Sequence, residues 1–442
     1  MSTSDTMTRP SETPVPPPTP PRRRGWGRWL FVLLAVAAVV LLVLDWIDKY
    51  GKERNAFDAL FDSSDSTGST GSTGSVRLPG GWDNGLDTVG YLESPWLAGV
   101  LWALFLATIV WVVWRGIRRH RAGRPLQHAA LRRTGAAVLV IVLFVLAGSA
   151  TANAYVGYVP TINSAFGQVG EDLRGGSRID QLSIGAPELQ VPPGPAYVYV
   201  PPGYDSGANR DHRYPVIYLL HGYPGASIDW VRAGDMQQIL DKMIQDKLIE
   251  PMIAVAPDAS GGWVHDSEMV NQVGGAQLET YLTKTVPQTI DAKYRTIADR
   301  SGRAIGGVSS GGFGALNLAL RNQDVFSVSV PMMPYGDPGS VLDSLFGGNK
   351  QLLAQNTPSQ YIPTMNVTQK MSLLLVAGTE DPQLPTARQL YAQLTARNSP
   401  DVDVGLQVVQ GATHTWHGAT MDSPYGYVFF SDRVKAAGTS GG

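Results

Sequence analysis

The chain has 442 residues, 43% of them hydrophobic and only 16% charged. An average soluble protein is about 25% charged, so apolar segments must sit where a soluble domain would not put them. A net charge of −2 offers no basic field for nucleic acid. The absence of cysteine excludes a disulfide scaffold, a thiolate nucleophile and any cysteine-ligated metal. The length predicts more than one structural unit.

Residues 1–28 are polar and proline-rich and are expected to form a disordered cytoplasmic tail. Three apolar runs follow, at about 29–47, 96–114 and 135–158, and the last two carry no charge. A membrane span needs about 20 apolar residues, and tryptophan favours the interface, where Trp29, Trp46, Trp96 and Trp114 fall. A cleaved signal peptide fits the first run poorly, because Asp45-Trp46-Ile47-Asp48 is no small-residue cleavage site. Residues 29–158 are therefore expected to be a membrane anchor of three transmembrane helices.

Charge orients that anchor. The connector after the second run carries Arg115, Arg118, Arg119, Arg121, Arg124, Arg132 and Arg133, whereas the loop after the first run is acidic and holds the stretch SSDSTGSTGSTGS. Arginine-rich loops stay in the cytoplasm, so the N-terminus is expected inside and everything after the third run outside. Ala150–Ala154 resembles a signal-peptidase site, and cleavage there would release the downstream part.

A linker is expected at 159–180, then a domain over 181–435 and a flexible tail at 436–442. Within the domain, β-rich runs alternate with helical ones, the pattern of a mostly parallel sheet flanked by helices. Strands are predicted at Ala196–Val200, Val216–Leu220, Met252–Ala256, Arg303–Val308, Val325–Val330, Leu373–Ala377 and Val404–Val409. Helices are predicted at Met236–Lys247, Leu278–Ala292, Phe313–Arg321 and Thr386–Ala396.

The most informative segment is Gly307-Val308-Ser309-Ser310-Gly311. It is a G-x-S-x-G turn with a predicted strand before it and a predicted helix after it, the setting in which such a serine becomes a nucleophile. Ser309 is the candidate, and the N–H of Ser310 falls where an oxyanion donor belongs. Upstream, Val216–Leu220 runs into His221-Gly222-Tyr223, a loop able to supply a second donor from Tyr223. His221 is expected to hold that loop. Of the seven histidines, His414 and His417 follow the last predicted strand, where the base of such a serine belongs, with His414 preferred. The acid should end the preceding strand, where Asp381 is preferred and Glu380 is the alternate. The lesser alternative for Asp381 is a turn or helix cap before Pro382.

These motifs, with Ile228-Asp229-Trp230, Pro257-Asp258, Trp263, Asp266-Ser267, Tyr294-Arg295-Thr296 and His414-Thr415-Trp416, resemble the esterase D / antigen 85-type branch of the α/β-hydrolases. S-formylglutathione hydrolases and feruloyl esterases are similar. The resemblance covers about Gln190 to Phe430 and implies an α/β-hydrolase fold, with Ser309, Asp381 and His414 as a triad and Tyr223 and Ser310 as oxyanion donors. Trp230, Trp263 and Trp416 are expected near a substrate pocket. The chain departs from the family at Ser310, where methionine is common, and at His417-Gly418-Ala419, where a second aromatic is common.

The sequence thus points to an extracytoplasmic serine esterase that needs no metal or organic cofactor, binds no nucleic acid and is tethered to the cell membrane. Its location favours lipid-linked or glycan esters. Two alternatives stay open: an acyltransferase of the mycolyltransferase kind that passes the acyl group to a sugar or lipid hydroxyl, and an inactive hydrolase-fold binding module.

Overall fold

A computed structural model describes residues 76–79, 92, 94–121, 129–157, 176–262 and 266–439. The expected first span and the proline-rich tail lie outside the described residues.

Two long helices come first, α1 (Pro95–Arg121) and α2 (Ala129–Val156). They contain the second apolar run and the third as far as Val156, and each is long and apolar enough to cross a membrane. Only 6% and 11% of their apolar windows are buried, whereas a core helix of a soluble domain would be mostly covered. They touch through Trp102, whose ring meets Phe105 and Phe144 edge-on and whose Nε1 donates to Thr151 Oγ1 at 2.9 Å. At the connector end Arg115 stacks over Trp111 and Arg118 over Trp114. The small-residue stretch Ala150–Ala154 lies within α2.

The remainder is built on one eight-stranded sheet, in the order β1-β2-β4-β3-β5-β6-β7-β8. The strands are β1 (Arg178–Ala186), β2 (Val191–Val200), β3 (Val216–Leu220), β4 (Ile253–Ala256), β5 (Arg303–Val308), β6 (Val328–Met332), β7 (Met371–Glu380) and β8 (Val402–Thr413). The sheet is mixed. β2 runs antiparallel to both β1 and β4, and every later pairing is parallel.

β3 shows why the central strands read as unbroken apolar runs. Val216, Tyr218 and Leu220 face one core cluster, and Ile217 and Leu219 face the other. A strand buried on both faces has no polar face to alternate with. Ala315, Leu316 and Leu318 of α5 (Ser310–Arg321) and Leu390 and Leu394 of α6 (Leu384–Ala396) cover the first face, together with Val286 and Ile290 of α4 (Val286–Lys293). The second face is covered by Ile239 and Leu240 of α3 (Met236–Gln245) and by Tyr427, Phe429 and Phe430 of α7 (Trp416–Thr439).

β3 has β4 on one side and β5 on the other, so consecutive strands leave it in opposite directions. The strand ends part there, and open α/β sheets place ligands at such a switch point, outside the carboxyl ends of the strands.

Several boundaries differ from the sequence expectation, among them β6, which runs over Val328–Met332 rather than Val325–Val330. β1 begins at Arg178, inside the expected 159–180 linker, because its polar residues Asp180, Gln181 and Ser183 hide a strand that pairing with β2 creates. β2 starts at Val191 rather than Ala196, despite Pro192, Pro193 and Pro195. β4 pairs only with Tyr197–Tyr199, so the prolines lie where the strand behaves as an edge. The expected 436–442 tail is helical as far as Thr439, at the end of α7.

Candidate active site

The first element of the site is the turn between β5 and α5. Ser309 sits there at φ 56 and ψ −118, a backbone conformation rare for residues with a side chain. Its N–H donates to Met332 O at 3.2 Å, and its carbonyl accepts from Phe313 N–H at 2.9 Å. Those bonds tie the strained residue to β6 and to the first turn of α5. The turn closes only because its flanks are glycine. A Cβ at Gly307 would lie 2.8 Å from Leu220 O, and one at Gly311 would collide with the carbonyls of Leu220 and His221.

The second element is the loop from β8 to α7, which carries His414. The imidazole Nε2 lies 2.9 Å from Ser309 Oγ, and Nδ1 lies 2.9 Å from Asp381 Oδ1. Thr415 anchors the loop: its Oγ1 accepts from Gly418 N–H at 3.2 Å and pairs with Thr413 Oγ1 at 2.8 Å.

The third element is the turn after β7. Asp381 is buried, and its Oδ1 also accepts from Gln383 N–H at 2.8 Å. The turn-capping role and the contact with His414 therefore fall on the same oxygen. A carboxylate held on Nδ1 selects the tautomer whose free Nε2 can accept a proton from Ser309 Oγ.

The sequence candidates separate clearly in space. Ser309, His414 and Asp381 form one continuous hydrogen-bonded line. Glu380, the alternate acid, is exposed. His417 is buried in the first turn of α7, and burial holds its pKa below the ordinary value. Ser310 opens α5 with its side chain buried, and Tyr223 lies on the loop after β3, about half exposed. Trp230 and Trp416, expected near a substrate pocket, instead pack edge-to-face at 5.3 Å within the buried core. Their indole area is worth more against each other than facing water. Trp263 lies outside the described residues. Among the described residues no group of His, Asp or Glu side chains is arranged to hold a metal ion.

Beside the Asp381 turn is a polar cavity of about 580 Å³ that Asp266, Glu268, Tyr335, Asp337 and Gln383 help to line. Tyr335 stacks on Phe313 of α5 and donates its hydroxyl to the Glu268 carboxylate at 2.7 Å. Burial, reinforced by the charge of Asp266, pushes Glu268 up to about 8 against the opposing effect of Tyr335. Sequence reasoning missed this pair, which is 67 residues apart along the chain. Asp422, on α7, is fully buried. Burial and then the charge of Asp381 hold its carboxyl well above the usual range.

Known proteins similar to the chain include enzymes named as esterases. An esterase of Mycobacterium tuberculosis is 37% identical over 129 residues, which is 27% of each chain. A xylanase/feruloyl esterase of Xylanibacter ruminicola is 32% identical over 134 residues, covering 30% of this chain and 18% of the relative. The chain thus matches well under half the length of these relatives. Among solved structures, a ferulic acid esterase superposes with a TM-score of 0.49 at 23% identity, over 59% of this chain and 98% of that one. An S-formylglutathione hydrolase from Agrobacterium tumefaciens gives a TM-score of 0.49 at 18% identity, over 60% and 99%. The Esterase family model matches residues 193–418, just over half of the chain and the whole stretch from the start of β2 to the start of α7. With the family matched over that span, the chain is a member of the Esterase family.

Proposed function

We propose that the protein hydrolyses carboxylic esters through an acyl-enzyme on Ser309. The observation that carries this reading is the line Ser309 Oγ–His414–Asp381, closed by two contacts of 2.9 Å at a strained strand-to-helix turn. Ser309 Oγ attacks the ester carbonyl while His414 Nε2 takes its proton. Asp381 holds the ring and stabilises the imidazolium. The carbonyl oxygen becomes an oxyanion, received by the N–H groups of Tyr223 and Ser310, the latter at the positive end of α5. His414 then protonates the leaving alcohol. Water, activated by the same imidazole, attacks the acyl-enzyme and frees Ser309.

The helices α1 and α2 are proposed to anchor this chemistry to a membrane, with the arginine-rich connector inside and the catalytic domain outside. Support comes from their length, their exposed apolar surface and the arginines stacked on Trp111 and Trp114 at the connector end. A domain held there meets esters at the membrane surface, so lipid-linked or glycan esters are the favoured substrate class.

Turnover of a soluble acyl ester tests the chemical step. Ser309→Ala should lower kcat by about 10⁶, whereas Ser310→Ala, which keeps the backbone N–H, should change it little. A Ser309→Ala protein that still turns over the ester would overturn the reading.

A further inference from the structure

The loop after β3 contains a histidine that the proposed reaction does not use. His221 is 3% exposed, so each ring nitrogen needs a protein partner. Nδ1 lies 2.9 Å from Gly222 O, and Nε2 lies 3.2 Å from Ala259 N. A carbonyl only accepts, so Nδ1 carries the hydrogen. A backbone N–H only donates, so Nε2 is bare. Both contacts select the same neutral tautomer. Asp258 comes no nearer than 4.0 Å to Nε2, and its Oδ1 is engaged by the N–H and hydroxyl of Ser260 at 2.9 and 2.7 Å.

The consequence falls on the next peptide. The Gly222–Tyr223 peptide is trans. In a trans peptide the C=O and N–H point in opposite directions. Fixing Gly222 O on the imidazole therefore aims Tyr223 N–H away from it. This peptide lies against the nucleophile: a Cβ on Gly222 would stand 3.4 Å from Ser309 Cβ and 3.2 Å from Val308 O.

We infer that His221 is a positioning residue of the oxyanion site: by donating Nδ1–H to Gly222 O it sets the rotation of the Gly222–Tyr223 peptide and aims Tyr223 N–H at the oxygen developing above Ser309. It touches no reacting atom and works through the backbone. Ala259 N–H fixes the tautomer from behind. The inference rests on the reading of Ser309 as nucleophile.

Two substitutions in the full-length protein separate this role from mere space filling. Asparagine places its amide N–H where Nδ1 stood and so keeps the bond to Gly222 O. Glutamine reaches the Nε2 position, keeps an acceptor for Ala259 N–H and loses the bond to Gly222. His221→Asn should hold kcat within about threefold of the parent, while His221→Gln should lose about 10²–10³, the usual cost of one oxyanion donor, with KM nearly unchanged. Glutamine is closer to histidine in volume, so a packing role predicts the reverse order.

A second readout is independent of how much of each variant folds. An ester and its thiono counterpart, in which sulfur replaces the carbonyl oxygen, are compared within one sample. The preference for the oxygen ester should fall in His221→Gln and persist in His221→Asn. An unchanged preference in His221→Gln, or the reverse order of the two variants, overturns the inference. Ser309→Ala run alongside keeps the two questions apart: activity there sinks the esterase reading, whereas a dead Ser309→Ala with an unchanged His221→Gln sinks only the role of His221.

Discussion

Val110, Val113 and Ile141 are each more than half exposed on α1 and α2, whereas every residue of β3 is buried. The same residue types are turned outward in one region and inward in the other. In the α/β domain the misplaced chemistry is polar instead: Asp381, Glu268 and Asp422 are carboxyl groups enclosed by protein. A long contiguous apolar face left pointing outward marks a surface that something else covers. A carboxyl taken out of water is costly unless it is paired or neutralised. The first kind of irregularity therefore speaks of location and the second of chemistry, and the molecule keeps the two in separate regions.

That division is challenged most strongly inside the domain. His414→Ala should abolish ester turnover, with a loss of several orders of magnitude as in other dissected serine triads, while His417→Ala should retain most of it. Steady-state kinetics on one soluble ester decides the matter. If His417→Ala were the dead variant, the base would lie in α7 and not on the loop after β8.

A smaller effect is expected from the helix pair. The full-length chain should stay with the membrane fraction after an alkaline carbonate wash, and detergent should release it. A chain beginning at Gly176 should be found in the wash with its kcat on a soluble ester unchanged. Loss of activity in the shortened chain would show that the two regions are not separable.

The smallest effect concerns Glu268. Its carboxyl titrates near 8 in the folded protein against an ordinary 4.5. The unfolded chain therefore releases this proton first as pH rises. The contribution to stability is complete below about 4.5 and is lost progressively up to about 8. Glu268→Gln, whose side-chain oxygen still accepts from Tyr335, removes that loss. Its Tm should exceed the parent's at pH 8.5 and match it near pH 4. An equal Tm difference at both pH values would mean that Glu268 does not titrate in this window.

The parts of the site that were legible in the sequence are those written locally. Gly307 and Gly311 around Ser309, the strand end before Asp381 and the position of His414 after β8 are all short-range signals tied to turn geometry. What escaped depends on distant partners. β1 is a strand because β2 pairs with it, and its own residues carry little β pattern. α7 contains Gly418, Pro424 and Gly426, which read as breakers, yet Tyr427, Phe429 and Phe430 bury enough surface against the sheet to hold a helix. The tryptophans misled for a related reason: Trp230 and Trp416 sit in site-like motifs, but only the packing reveals that they cover each other. His221 was legible as a loop residue, whereas its tautomer needed Ala259, 38 residues away.

The central claim is that Ser309 is the nucleophile. Its most direct test is covalent labelling of the full-length protein by a fluorophosphonate, with the modified peptide located by mass spectrometry. The adduct should sit on Ser309 in the parent and in Ser310→Ala, and should be absent from Ser309→Ala. An adduct on any other residue, or labelling retained in Ser309→Ala, would contradict the account.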